Sequence, residues 1–418
     1  MQDAGIAGER VPARGFMSTE SASYPYWRLS SFYFLYFAFL GAMVPYWALY
    51  LEAAGLGAAA IGAVLAMMAS ARIVAPNFWG WLADRGGRRL LIIRGGAIGA
   101  FASLASLVWR QDLPWVIAMA TLHTFFWNAI LAQYEVITLA SMRTAVHRYG
   151  LVRLWGSVSF VLAVALSGVL FDHLSVGQLP WLLALLLALI ALGSFAIRDP
   201  GSIERRPAPG GLVALLRQRV VLAFLAAAFL LQFSHAPYYG FFSLLLDQHG
   251  FSRGAIGQFW ALGVVAEIGV FALAHRLLMR FSLRDILMAS LLLAALRWLM
   301  IGLGAGNLWV LLIAQCLHAA TFGSFHSAGV ELVRRHFGHG HQGQGQALYS
   351  AVSFGAGGAL GALLSGFAWE LSPMLAFMLA AAAALLGWWL VRVAVHGALV
   401  DNPGFGDGEL APGQAAAR

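Results

Sequence analysis

Lysine is absent from this 418-residue chain, cysteine occurs once, and charged side chains make up only 11% of it. A single thiol, Cys316, cannot form a disulfide or a cysteine-ligated metal site within one chain. Soluble domains carry about 25% charged residues, so a globule of this length would have too little polar surface to meet water. The first 25 residues lack an apolar stretch and a cleavage pattern, and they read as a polar cytoplasmic tail, not a secretory signal. Secreted, nucleic-acid-binding and disordered classes are excluded. What is abundant is apolar: 61% of the residues are hydrophobic, gathered into windows of about 20, the length that crosses a bilayer as a helix. A polytopic, all-α integral membrane protein is implied.

Twelve spans are expected, at 29–51, 60–82, 90–109, 114–140, 150–171, 178–197, 219–246, 255–279, 286–304, 307–331, 347–369 and 373–396. The longest polar break, 198–218, holds Asp199, Pro200, Glu204, Arg205, Arg206, Pro207 and Pro209, a composition suited to a flexible linker. The chain divides accordingly into a tail (1–28), a six-helix bundle (29–197), the linker, a second six-helix bundle (219–396) and a C-terminal tail (397–418). The net charge of +8 rests on 26 basic residues, all arginine. With the N-terminus inside, 21 arginines fall on the cytoplasmic side and only Arg110 and Arg253 outside, with Arg72, Arg153 and Arg297 left within spans. That asymmetry places both termini in the cytoplasm and makes the helix count even. No nucleic-acid partner is needed to explain the basic surplus.

The halves repeat. YWALYLEAAGL at 46–56 matches FFSLLLDQHGF at 241–251, a shift of 195 residues. The same shift pairs the two AIG triplets (60–62 and 255–257) and Leu122-His123 with Leu317-His318, while Val158-Ser159-Phe160 meets Val352-Ser353-Phe354 one residue short of it. A duplicated bundle enclosing one central cavity follows.

The first inside loop reads GWLADRGGRRL, Gly80 to Leu90. Gly80 would allow close helix approach, Asp84 can pair with arginine or a helix N-terminus, and Gly87 permits a tight turn; Arg85 and Arg88 supply the basic flank. A charged turn that merely sets topology is the plainer reading. The loop fits Gly-x-Leu-Ala-Asp-Arg-x-Gly-Arg-Arg, and so the chain resembles the major facilitator superfamily; the matching loop at 275–284 lacks the acid and the glycines. YWRLSSFYFLYFAFLGAMVPYW (26–47), RIVAPNFWGWLADR (72–85), YGLVRLWGSVSF (149–160), WALGVVAEIGVF (260–271), LHAATFGSFH (317–326) and QGQALYSAVSFGAGGALG (344–361) narrow this. Together they are similar to the bacterial 3-phenylpropionate transporter group, near the lactose-permease type of proton symporter. The resemblance implies two pseudo-symmetric six-helix bundles, a multi-pass protein of the bacterial inner membrane, and a monomer.

An ionised side chain at the bilayer centre costs about 2.5–3.5 kcal/mol on insertion scales, so such groups face a wet cavity or a partner. Arg72, Glu267, Arg297 and His318 lie near the midpoints of their spans, and Arg72 and Glu267 are related by the 195-residue repeat. Glu267, Arg297 and His318 resemble the proton-coupling cluster of lactose-permease-like symporters, which makes the proton the coupling ion with no cofactor. A buried ion pair between helices 8 and 9 is the alternative. Thr321 stands where that type has a second glutamate, so symport and uniport both remain open.

Glu135 and Arg153 share the 18-residue separation of the sugar permeases' binding pair, Phe160 sits where an aromatic stacks on the ligand, and Asn128 lies at i, i+7 from Glu135. A plain salt bridge between helices 4 and 5 is the other reading. His235, Tyr238, Tyr239 and Phe242 form one stripe beside Pro237, either a cavity wall or core packing. His326 reads as a hydrogen-bonded residue of helix 10. His336, His339 and His341 read as solvated loop residues, and no metal is assigned. Glycines 355, 357, 358, 361 and 366 suit close helix contact. The Gly-Pro-Gly-Gly pattern of drug exporters is missing from helix 5, which favours uptake.

The expected function is proton-coupled import of a small organic solute. By resemblance the solute is an aromatic or other carboxylic acid, with Arg72, Arg153 and Arg297 as carboxylate partners. A sugar or nucleoside symporter using Glu135 and Asn128 is the alternative. A membrane sensor or enzyme is disfavoured, because no signalling domain, nucleophile triad or phosphate cradle is present.

Overall fold

The structure, a computed structural model, describes residues 24–198 and 215–402. Every described regular element is a helix. The first, α1, consists of Tyr26–Met43 and Trp47–Ala53, bent by 44°. It is followed by α2 (Ala58–Gly86), α3 (Arg89–Val108), α4 (Leu113–Met142), α5 (Ala145–His173) and α6 (Val176–Phe195). The second half holds α7 (Arg219–Gln248), α8 (Arg253–Arg280), α9 (Leu283–Gly304), α10 (Leu308–Phe337), α11 (His341–Leu371) and α12 (Pro373–Ala394). Counting the bent pair once, twelve helices are long and apolar enough to cross a membrane.

Span ends shift outward from the sequence expectation. The chain enters α1 at Tyr26 rather than 29, and a short helix, α13 (Ala398–Asp401), occupies the expected C-terminal tail. The 332–346 segment, expected as a loop, is helical: it has no proline, and its glycines at 338, 340, 343 and 345 weaken the helix without removing a backbone donor. Most of the 198–218 linker and of both tails lies outside the described residues.

Local chemistry sets the boundaries. Asp112 caps α4, accepting from the Trp115 amide at 3.3 Å, and Ser252, Ser282 and Asn307 cap α8, α9 and α10. Arg110 beside Asp112 holds that carboxyl below its usual range. Gly55 (φ 87°) and Gly250 (φ 79°), one repeat apart, make the left-handed turns that follow α1 and α7. Gly87 (φ 60°) ends α2, as its place in the loop motif predicts. In that motif Asp84 pairs with Arg89 at 2.9 Å, and Arg89 also reaches Gln133. Gly80 corrects the expectation: a Cβ there would meet nothing within 4 Å, so this glycine marks no close helix approach.

Both fourth helices of the repeat depart from α geometry just past their histidine. Asn128 and Ala129 interrupt α4 after His123, and α10 widens into a π-turn at Ala319–Gly323 after His318. A second π-turn, Ala351–Gly357, lies in α11. Such irregularities frequently mark functional positions.

The halves meet along α2–α11 and α5–α8. A Cβ on Gly62 would stand 2.8 Å from Gly366 Cα, and one on Gly257 2.7 Å from the Val164 carbonyl, so bare backbone permits both contacts. At the arginine-poor end, Glu370 accepts from the Ala59 amide at 3.1 Å and Asp172 from the Gly254 amide at 3.0 Å, while the Tyr46 hydroxyl donates to the Val164 carbonyl of its own half at 2.9 Å and lies 3.4 Å from the Arg253 carbonyl of the other. Close glycine contacts along α2 extend as far as Ile73 against Gly355. Beyond that point Asn77, Phe78, Trp81 and Arg85 of α2 are exposed.

Candidate functional site

Between the halves lies a cavity of about 350 Å3, walled by α1, α2 and α4 on one side and α7 and α11 on the other. Phe39, Trp47, Trp127, Tyr239 and Phe354 give its otherwise aliphatic wall several aromatic faces. Arg72 of α2 lines the same space and is exposed within it. Among the described residues no carboxylate lies within ion-pair distance of Arg72, and no side chain hydrogen-bonds to it.

Behind Tyr239, within the second half, a polar cluster is packed into the core. Glu267 Oε2 lies 3.6 Å from His318 Nε2, bridging α8 and α10. Gly323, in the π-turn, leaves room for Glu267, whose Cγ would be 3.4 Å from an added Cβ. On the preceding turn of α8, Gly263 gives the same clearance to Gln315, 3.2 Å away. Arg297 is fully buried; its Nε donates to the Ala314 carbonyl at 2.8 Å, and its guanidinium sits 4.1 Å over the Tyr238 ring. Tyr238 in turn donates to Gln315 Oε1 at 2.8 Å. Both terminal nitrogens of Arg297, Gln315 Nε2, His318 Nδ1 and His235 Nε2 are buried without partners. Buried polar atoms gathered at this density set the cluster apart from the apolar core around it.

Sequence-derived candidates are distributed as follows. Arg72 and Tyr239 reach the cavity, and Glu267 with His318 forms a pair. The ion pair between α8 and α9 that the sequence left open does not form: Arg297 turns to α10 and to the ring of Tyr238. His235 is wholly buried, bonded through Nδ1 to the Leu231 carbonyl at 2.9 Å and edge-on to Trp298. Glu135 and Arg153 approach to 3.9 Å, with the Tyr149 hydroxyl donating to Glu135 at 3.3 Å and the guanidinium 4.0 Å over Phe37. These two residues, Asn128 and Phe160 lie outside the lining of the cavity described above. Asn128 donates to the Thr124 carbonyl at 2.7 Å, at the interruption of α4. Phe160 is half-buried, its carbonyl against Gly41 of α1. His326 lies 3.4 Å from the Tyr349 hydroxyl. His336 bonds to its own helix, and His341 lies 3.1 Å from Gln344 Oε1.

Several lining residues escaped the sequence reading. His123 is the repeat partner of His318 and stacks on Trp127, a signal visible in the repeat itself. Gln232 falls on the same stripe as Tyr239, two turns earlier.

The model of the MFS_1 like family matches residues 26–379, nearly the whole helical chain. This protein belongs to the MFS_1 like family. Among its relatives, the Escherichia coli (strain K12) protein named "Probable 3-phenylpropionic acid transporter" is 30% identical over 343 residues, 81% of this chain and 89% of that one. The maltose permease of Geobacillus stearothermophilus is 28% identical over 349 residues, covering 81% and 86%. In structure, a variant of the nucleoside transporter NupG superposes with a TM-score of 0.82 over 89% of this chain and all of its own, at 16% identity. At that identity the likeness concerns the fold: two pseudo-symmetric six-helix bundles in a multi-pass membrane transporter.

Proposed function

We propose that the protein is a proton-coupled importer of a small aromatic carboxylic acid, of the 3-phenylpropionate type, working by alternating access in a bacterial inner membrane. The observation that carries this is Arg72: a cation held inside the membrane, in a cavity with aromatic faces between the halves, with no carboxylate of its own among the described residues. Its guanidinium can take a carboxylate in a two-point, charge-assisted contact. The surrounding rings supply apolar and edge-to-face contact for an aryl group. By the positive-inside rule the arginine-rich end faces the cytoplasm.

Coupling follows from charge. Closing the cavity removes water from Arg72 and Glu267, and an uncompensated charge at that depth is expensive. In the loaded carrier the solute carboxylate neutralises Arg72 while a proton neutralises Glu267. In the empty carrier both side chains are ionised, and their opposite charges cancel in the sum. A carrier with one cargo but not the other holds an unbalanced charge and is slow to turn.

The test is competition for binding of labelled 3-phenylpropionate to the purified protein. Unlabelled arylalkanoates should compete, and galactosides and nucleosides should not. Arg72→Gln should weaken acid binding by more than about tenfold, the worth of one charge-assisted contact. Competition by sugars alone, or acid binding unaffected in Arg72→Gln, would sink the reading.

A further inference from the structure

Some arginines at the arginine-rich end are neutralised by the protein and others are not. Arg89 pairs with Asp84, and Arg335 with Glu331. Arg284, in the first turn of α9, and Arg392, in the last turn of α12, have no carboxylate within ion-pair distance among the described residues. They stand together: Arg284 Nη2 donates to the Arg392 carbonyl at 2.8 Å, one of the carbonyls that the end of α12 leaves free. That bond fixes Arg284 without cancelling its charge, and its Nε has no partner. The Arg392 guanidinium lies 5.4 Å from the centre of the Trp388 ring. Nearby acids are already engaged. Asp285 accepts from the Ser282 hydroxyl at 2.7 Å and Asp401 from the Gly397 amide at 2.8 Å, each inside its own turn.

Apolar surface continues from each arginine toward the middle of the membrane. On α9, Leu292 and Leu296 follow Arg284 at steps of four and are exposed; on α12, exposed Leu385 and Trp389 lead up to Arg392. The two helices pack against each other. Leucines at acyl depth, a tryptophan at the interface and an unneutralised pair of guanidiniums at the rim match a phospholipid along its length.

We propose that the arginine-rich ends of α9 and α12 form a binding site for an anionic phospholipid, whose phosphate is held by Arg284 and Arg392 and whose acyl chains lie on the apolar faces beside them. A guanidinium binds phosphate oxygens through a fork of N–H donors. Net charge sets the choice of headgroup. The ammonium of a zwitterionic lipid would cancel the phosphate charge and find no free carboxylate here, whereas phosphatidylglycerol brings a net negative charge to two cations.

The experiment is native mass spectrometry of the purified protein from micelles holding equal amounts of phosphatidylglycerol and phosphatidylethanolamine with the same chains. The unaltered protein should retain phosphatidylglycerol preferentially. In Arg284→Gln combined with Arg392→Gln that preference should fall by about fivefold for each arginine removed. Arg28→Gln with Arg148→Gln, which takes the same charge from the other half, should leave it within about twofold. An equal loss in both pairs would assign the attraction to the diffuse charge of the whole end and overturn the site, as would an unchanged preference in the first pair. Should the first pair not fold, Arg392→Gln alone, which leaves the bond to the residue 392 carbonyl in place, should still cost about fivefold; no loss there overturns the proposal. Displacement of the lipid by inorganic phosphate would make this a site for free anions, and that too overturns it.

Discussion

Asp172 and Glu370 are counterparts across the pseudo-two-fold axis: each places its carboxylate on a backbone amide in the first turn of a helix in the other half. The amides, of Gly254 and Ala59, are themselves 195 residues apart. The contact joins a negative side chain to the positive end of a helix dipole as well as to a free N–H. Two such contacts, repeated by symmetry, hold the arginine-poor end together.

Neutralising them should loosen that end. Because both carboxylates are exposed, each is worth about 0.5 kcal/mol, or roughly two- to threefold in population. In Asp172→Asn combined with Glu370→Gln, a cysteine placed at Ala236 in a Cys316→Ser background should react several-fold faster with an impermeant maleimide added from the arginine-poor side. An unchanged rate would assign closure to the glycine contacts alone.

Those contacts make their own prediction. A Cβ at Gly62 would fall 2.8 Å from both Gly366 Cα and the Ala362 carbonyl, where neither side can yield. Gly62→Leu should therefore prevent closure at this end. Uptake should fall to background while solute binding in detergent survives; loss of both would indicate misfolding instead of arrest.

Glu267 meets His318 at 3.6 Å and little else that could carry a proton among the described residues. Glu267→Gln should abolish solute-driven alkalinisation of the medium, yet retain exchange of labelled for unlabelled solute. Gly323→Leu, which drives bulk into the place of Glu267, should give the same split. Normal alkalinisation in Glu267→Gln would exclude this residue as the carrier.

The Glu135–Arg153 contact is long and half-exposed, at 3.9 Å, and pairs of this kind contribute at most about 1 kcal/mol. Arg153→Lys should leave solute affinity within about twofold and the melting temperature nearly unchanged. A tenfold loss of affinity would move the solute toward α4 and α5.

Helix number, the repeat and the intramembrane charges were readable from the chain, because bilayer thickness and the cost of buried charge act on composition alone. Arg72 could be named for the same reason. What Arg297 touches could not: spacing fixed its depth, but whether it met Glu267 or the ring of Tyr238 depended on how α8, α9 and α10 pack. The interruption of α4 at Asn128 and Ala129 was not legible, because a heptad count along the chain presumes an unbroken helix.

Both carboxylate hydrogen bonds described at the arginine-poor seam join a side chain of one half to the main chain of the other: Glu370 to Ala59 and Asp172 to Gly254. Peptide groups are the same whatever the codon, so mutation can alter only one partner in each. Adjusting how readily the arginine-poor end of this carrier opens, by evolution or by design, can therefore act through these two codons as well as through the seam glycines, and neither of the two encodes a residue that lines the cavity.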